Sequence, residues 1–324
     1  MIDALNEMII DAHERIRKYV YETPLIPLRG FGDPGQTLGK AECFQHTGSF
    51  KFRGALNRVL IAHELGVRTI VTASTGNHGR AVAAACSLLN LPCRIYVPDK
   101  VARAASNLGL SGPQVDVVSV SGDPAEIEVL ARKETQQLGE ALFVSPYNDI
   151  DVVAGQGTIG LELLAKVDCP PDSIYVSAGG GGLVSGIAAA VKPHWPQTRI
   201  VACFPDASPV LARAVHNGYV TSLPIGETIA TGIAGNIESD TITLDLCRRL
   251  VNDYTIVGEH EIEQALLRCL IANGIMIEGA TAVALAAISQ RRAPKERSIA
   301  ILCGRNISRG RLSVLLGRED VKVC

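Results

Sequence analysis

The chain has 324 residues, of which 47% are hydrophobic and 20% charged, with a formal net charge of -2. A chain of this length buries roughly three quarters of its unfolded surface, so one large or two medium domains fold unaided and a disordered polymer is excluded. The near-neutral balance lacks the basic face of a nucleic-acid binder, and no apolar run approaches the ~20 residues that cross a bilayer.

Residues 1–10 carry Asp3 and Glu7 and no basic stretch, unlike a secretory leader, so the expectation is a soluble cytoplasmic protein. Apolar spacing over Ile2–Val20 predicts an amphipathic helix that ends before Thr23-Pro24. Strands are expected at Arg68–Thr72, Cys93–Val97, Val115–Val120, Ser173–Val176, Arg199–Cys203 and Ser298–Leu302. Helices are expected at Phe52–Leu65, Gly79–Leu89, Glu126–Leu138, Val153–Lys166, Leu183–Lys192, Glu259–Asn273 and Thr281–Gln290. This α/β alternation implies right-handed βαβ units and a largely parallel sheet covered on both faces. Glycine clusters fall at strand-to-helix turns, where such sheets bind ligands. The nine cysteines include no Cys-x-x-Cys pair and read as reduced, mostly buried apolar side chains. The seven histidines give no zinc-spaced pair, and no metal is expected.

Four segments carry chemistry. The first runs from Lys40 to Ala55 and delivers Lys51 at the start of an apolar helix. The helix dipole, the neighbouring cation Arg53 and burial beside Phe50 and Phe52 disfavour an ammonium. A lysine so destabilised is a good amine nucleophile and a candidate Schiff-base residue; the alternative is a surface lysine at a helix start. The second, Ser74-Thr75-Gly76-Asn77-His78-Gly79, follows a strand and offers backbone N–H groups to a carboxylate, or else merely caps a helix. The third, Gly179-Gly180-Gly181-Gly182-Leu183, gives a bare amide nest for one phosphate. It lacks the Gly-Lys-Ser/Thr of a Walker A loop. The fourth, Cys303-Gly304-Arg305-Asn306, puts a small thiol at the carboxyl end of the last strand, where it can face a ring nitrogen or be an ordinary buried cysteine.

In this order the segments resemble the pyridoxal-phosphate enzymes of the serine/threonine dehydratase and serine racemase group. Ala154-Gly155-Gln156-Gly157-Thr158, Glu227-Thr228-Ile229-Ala230-x-Gly232 and Glu278 extend the likeness over almost the whole chain. The resemblance implies a two-domain α/β fold of the tryptophan synthase β type, with parallel-rich sheets flanked by helices. It places a large cofactor-binding domain at 1–66 and 143–324 and an inserted small domain at 67–142. Lys51 would form the Schiff base with pyridoxal 5'-phosphate and take the α-proton. Phe50 would pack on the ring, Asn77 would bond its 3-oxygen, and Cys303 would meet the ring nitrogen. Glu278 would lie near the ring, and Gly179, Gly180, Gly181, Gly182 and Leu183 would hold the phosphate. Ser74, Thr75, Asn77 and His78 would surround the substrate carboxylate. A neutral thiol cannot keep the ring nitrogen protonated as an Asp does, which favours loss of a β-hydroxyl and release of a 2-oxo acid and ammonia.

Departures from the pattern leave alternatives open. Thr75 stands where serine racemases place an acid/base and many threonine dehydratases an alanine, so racemisation remains a second reading. Phe204-Pro205-Asp206-Ala207-Ser208-Pro209-Val210 lacks acidic residues at the ends where the racemase divalent-metal site would need them. Arg305 replaces a small residue and would contact an acidic substrate group or solvent. The substrate is expected to be serine, threonine or a γ-substituted β-hydroxy amino acid such as a hydroxyectoine-derived one. The chain ends soon after the last motif, which points to a catabolic enzyme without an isoleucine-binding domain. The family is commonly homodimeric.

Overall fold

Runs rich in β-branched residues alternate with alanine-rich stretches, and in the former successive side chains point to opposite faces. The computed structural model describes residues 2–102, 109–122, 124–291 and 295–317. Its strands are β1 (Leu25–Pro27), β2 (Thr37–Lys40), β3 (Thr69–Ala73), β4 (Cys93–Pro98), β5 (Val115–Val120), β6 (Ala141–Phe143), β7 (Ser173–Ser177), β8 (Arg199–Pro205), β9 (Asp253–Val257) and β10 (Ser298–Ile301). The helices are α1 (Ile2–Ile16), α2 (Lys51–Glu64), α3 (Asn77–Leu88), α4 (Asp99–Ala102), α5 (Pro124–Gln137), α6 (Ile150–Lys166), α7 (Gly182–Val191), α8 (Val210–Asn217), α9 (Thr243–Leu250), α10 (Glu259–Asn273), α11 (Gly279–Gln290) and α12 (Arg309–Leu316). Among the described residues no helix is long and apolar enough to cross a membrane.

The strands form two sheets rather than one. Six are ordered β1-β2-β10-β7-β8-β9 and four are ordered β5-β4-β3-β6. Every pairing is parallel except β1 with β2. Period-two alternation gives each sheet a core on either face. Ile174, Val176, Ile200 and Ile301 pack with α1, α6 and α7, whereas Tyr175, Val201, Cys203 and Ala300 pack with α10 and α11. In the smaller sheet Ile70, Ile95 and Val97 face α2 and α3, and Val71 and Tyr96 face α5. Parallel strands therefore end at one edge of each sheet, and the turns into α2, α3 and α7 present their loops there.

Elements missing from the sequence pattern are short. β1, β2 and β6 have three or four residues, and β2 reads Thr-Leu-Gly-Lys with its lysine buried. Helices α4, α8, α9 and α12 span no more than eight residues, too few to display a helical period. The first helix stops at Ile16 rather than Val20. Beyond its last buried residue the chain turns, with Tyr19 and Val20 amides bonding Ile16 O, so that Tyr21 O can accept from Gln45 and Arg53.

The Ala154–Thr158 segment proves to be a packing device. A Cβ at Gly155 would lie 2.6 Å from Gly54 Cα and 2.8 Å from Arg53 O, so α6 meets α2 backbone to backbone. Gly155→Ala is therefore expected to cost about 1–3 kcal/mol through overpacking. The readout is a lower urea midpoint at unchanged slope; an unshifted midpoint would show that the two helices separate freely.

Candidate active site

Lys51 is the first residue of α2, and its Nζ donates 2.7 Å to Pro146 O with the Phe50 ring 5.2 Å away. Burial lowers its pKa to about 8, against the opposing pull of Cys303 and Glu278. Arg53 is not the cause that the sequence suggested. Its guanidinium turns away from the amine, giving Nε and Nη2 to Glu42 at 2.8 Å each and Nη1 to Glu162 at 2.6 Å. Lys40 Nζ closes the cluster on Glu162 and on Thr23 O, and all four charged side chains are at most 4% exposed.

The loop before Lys51 is fastened to the last motif. Phe50 N–H donates to Cys303 O, Arg305 N–H to Gly48 O, and Asn306 Nδ2 to Thr47 O, at 2.9–3.0 Å. Gly48 is left-handed at φ 76°, and a Cβ there would lie 2.7 Å from Asn306 Oδ1, so the turn requires glycine. Cys303 is buried with its sulfur 3.2 Å from Thr281 Oγ1, and burial pushes the thiol pKa up, keeping it neutral. Arg305 reaches outward, its guanidinium 6.0 Å from the Phe44 ring.

Glu278, 8% exposed, links the two sheets' loops. Its Oε1 accepts from Asn77 Nδ2 at 2.7 Å and its Oε2 from Asn306 N at 2.9 Å, while burial raises its pKa. Asn306 Nδ2 donates to Asn77 Oδ1 at 2.7 Å. Asn77 thus keeps one Nδ2 hydrogen for a further acceptor.

Helix α3 starts at Asn77 behind Gly76, which makes no side-chain cap, so the alternative reading of 74–77 as a capping sequence fails. Ser74 Oγ instead accepts from Gly76 N–H. The first intrahelical bond is Arg80 N–H to Gly76 O, which leaves the amides of Asn77, His78 and Gly79 without intrahelical partners. They make an anion site at the mouth of the loop. The His78 ring lies behind it, 4% exposed, with Nε2 2.9 Å from Val144 O. Burial and Lys51 lower its pKa to about 3, so the ring is neutral and its contribution to the loop is a backbone amide. Thr75 is half-buried, and its hydroxyl makes no hydrogen bond among the described residues.

Gly181 takes the left-handed conformation at φ 86° and caps α7, whose first intrahelical bond is Ser185 N–H to Gly181 O. The amides of Gly182, Leu183 and Val184 are thereby left for a ligand. Tyr147, which the sequence reading missed, closes one side: a Cβ on Gly180 would lie 2.3 Å from its ring. Because Pro146 O holds Lys51 Nζ, the dipeptide Pro146-Tyr147 spans from the amine to the glycine turn. Gly232 was also missed as a wall residue; a Cβ there would lie 3.4 Å from Glu278 Oε1 and 3.9 Å from Asn77 Nδ2. The sequence signals were a Pro-Tyr turn before α6 and, for Gly232, its place at the end of the Glu227–Gly232 motif.

A weakly basic buried amine, a neutral thiol and a glycine turn with free amides fit an aromatic aldehyde carrying a phosphate. Comparison with known proteins agrees. Residues 16–304 match the profile described as "Pyridoxal-phosphate dependent enzyme". L-threonine ammonia-lyase of Geobacter sulfurreducens is 34% identical, covering 96% of this chain and 78% of that protein. Serine racemase of Arabidopsis thaliana is 34% identical, covering 94% and 93%. The structure of maize serine racemase superposes with a TM-score of 0.84 at 30% identity, covering 96% of each chain.

The lowered Lys51 pKa sets a pH profile. Its neutral, nucleophilic form grows as pH rises through about 8, rather than near the 10.5 of an ordinary lysine. Uptake of pyridoxal phosphate by cofactor-free protein, followed by absorbance, should therefore accelerate with a midpoint near that pH. A midpoint above 10 would contradict the burial assigned to this amine.

Proposed function

We propose, for a chain that belongs to the pyridoxal-phosphate dependent enzyme family, the β-elimination of a serine- or threonine-type β-hydroxy amino acid to a 2-oxo acid and ammonia. The observation that carries this reading is Cys303, a buried neutral thiol set beside the Lys51 loop. Bound here, pyridoxal phosphate supplies an aldehyde carbon for the substrate amine and a ring that draws electrons from Cα. Lys51 is the amine that anchors it and the base that takes the Cα proton. The Cys303 thiol, kept neutral by burial, would face the ring nitrogen without holding a proton on it, which would suit loss of a β-hydroxyl. Phe50 would pack on the ring, Asn77 would give its remaining amide hydrogen to the 3-oxygen, and Glu278 orients Asn77. Gly179, Gly180, Gly181, Gly182 and Leu183 hold the phosphate. Ser74, Thr75, Asn77 and the His78 amide bind the substrate carboxylate.

The same reading takes 67–142 as a small domain that carries the carboxylate loop, against 1–66 and 143–324 for the cofactor; β3 to β6 all lie within or at the edge of that span. It also takes the protein as a cytoplasmic homodimer. The free cysteines among the described residues, seven of eight buried, suit a reducing compartment. The second reading, racemisation, rests on the unengaged hydroxyl of Thr75, two residues before Asn77.

A panel of L- and D-serine, threonine and γ-substituted β-hydroxy amino acids, assayed for 2-oxo acid and enantiomer ratio, tests the proposal. 2-Oxo acid is expected as the main product, and Lys51→Ala should lower its rate at least ~10³-fold. Stereoinversion without keto acid would replace elimination by racemisation. Thr75→Ala is expected to keep elimination within about tenfold; if it abolishes inversion alone, Thr75 serves the second reading.

A further inference from the structure

We propose that Arg132 and Glu238 are a positioning pair, a latch that holds helix α5 and its four-stranded sheet against the loops bracing the glycine turn. Arg132 Nη2 lies 3.0 Å from Glu238 Oε2 and 2.7 Å from Glu128 Oε1. Its guanidinium carbon stands 4.1 Å from the Phe143 ring centroid, which fixes the plane of the fork. Glu238 is built into the opposite side. Its Oε2 also accepts from Asn148 Nδ2 at 3.0 Å, and its backbone N–H donates 2.8 Å to Tyr147 OH. Tyr147 packs on Gly180, and Thr243 Oγ1, five residues after Glu238, bonds Gly180 O at 2.7 Å.

The path is thus continuous: α5, Arg132, Glu238, Tyr147, glycine turn. Side-chain exposures of 37% and 26% put the pair at a rim where the bond can open and re-form. A link of this kind acts on the balance between apposed and parted sheets. Breaking it lowers the fraction of molecules competent to bind substrate and leaves turnover in the apposed state intact.

Only the kinetic arm rests on the proposed elimination. In the holoenzyme, Arg132→Gln and Glu238→Gln should each raise KM for the amino acid about three- to fivefold, with kcat within about twofold. The double variant should be no worse than the worse single, and Arg132→Lys should stay within about twofold of the native KM. In cofactor-free protein, amide exchange across residues 124–137 should quicken in both Gln variants and not in Arg132→Lys. Fully additive KM effects, or unchanged exchange in both Gln variants, would overturn the latch. If native enzyme forms no 2-oxo acid from any amino acid, the proposed function fails while the exchange measurement still decides the latch.

Discussion

The buried fork of Arg53 determines where the reactive amine can be. Two positive and two negative side chains, Lys40, Arg53, Glu42 and Glu162, share one dry cluster reaching from β2 across the start of α2 to α6. Such a group is stable only when complete, since removing one member strands an uncompensated charge at about 3–5 kcal/mol. Because Arg53 lies two residues past Lys51, this all-or-none cluster fixes the first turn of α2 and the backbone from which Lys51 extends. It also holds α6, whose preceding turn supplies Pro146 O as the acceptor for Nζ. The amine and its partner are thus set by one network. With Arg53 paired internally, burial alone is left to weaken the ammonium.

That arrangement explains which parts were legible in the sequence. Lys51 at a helix start, the 74–79 loop and the glycine run are each written locally, as a turn between a β-rich run and an apolar helix. The extra glycines have no use in a plain helix start. Arg53 was misread because its charge depends on Glu42 and Glu162, the latter 109 residues away. Tyr147 was invisible for the same reason, and Gly232, though part of the family motif, showed no role, since their meaning arises only beside Gly180 and Glu278. His78 looked like a ligand, and the fold turns its ring to Val144 instead. Cys303 shows the limit most plainly. Seven other cysteines are free among the described residues, most of them buried, and nothing in its own segment tells a site thiol from a packed one. The family pattern singled it out, and the fold then placed it beside the Lys51 loop.

Single-sheet expectations failed in an informative way. Alternating strands and helices fix the parallel sense of the pairing but not how many sheets the strands form. Here β3 to β6 close on themselves, and β10 returns to pair with β2 and β7. The 74–79 loop therefore grows from one sheet and the glycine turn from the other, so a ligand held at both would require the sheets to be in register.

Glu278 shows how that register is made cheaply reversible. Burial alone would drive its carboxyl toward protonation, and the donors opposing this come from both sides: Asn77 from the smaller sheet's loop, Asn306 from the larger. Were the sheets to part, as the proposed latch supposes, Glu278 would exchange the Asn77 bond for water, a change worth only about 0.5–1.5 kcal/mol net, or somewhat more for an ionised acceptor. A bound amino acid whose carboxylate meets the amides of 77–79 can decide the balance with one or two charge-assisted hydrogen bonds, each about twice as strong as a neutral one. A substrate carboxylate held there, as proposed, would add its own bonds to the Asn77–Glu278 contact that the fold already makes.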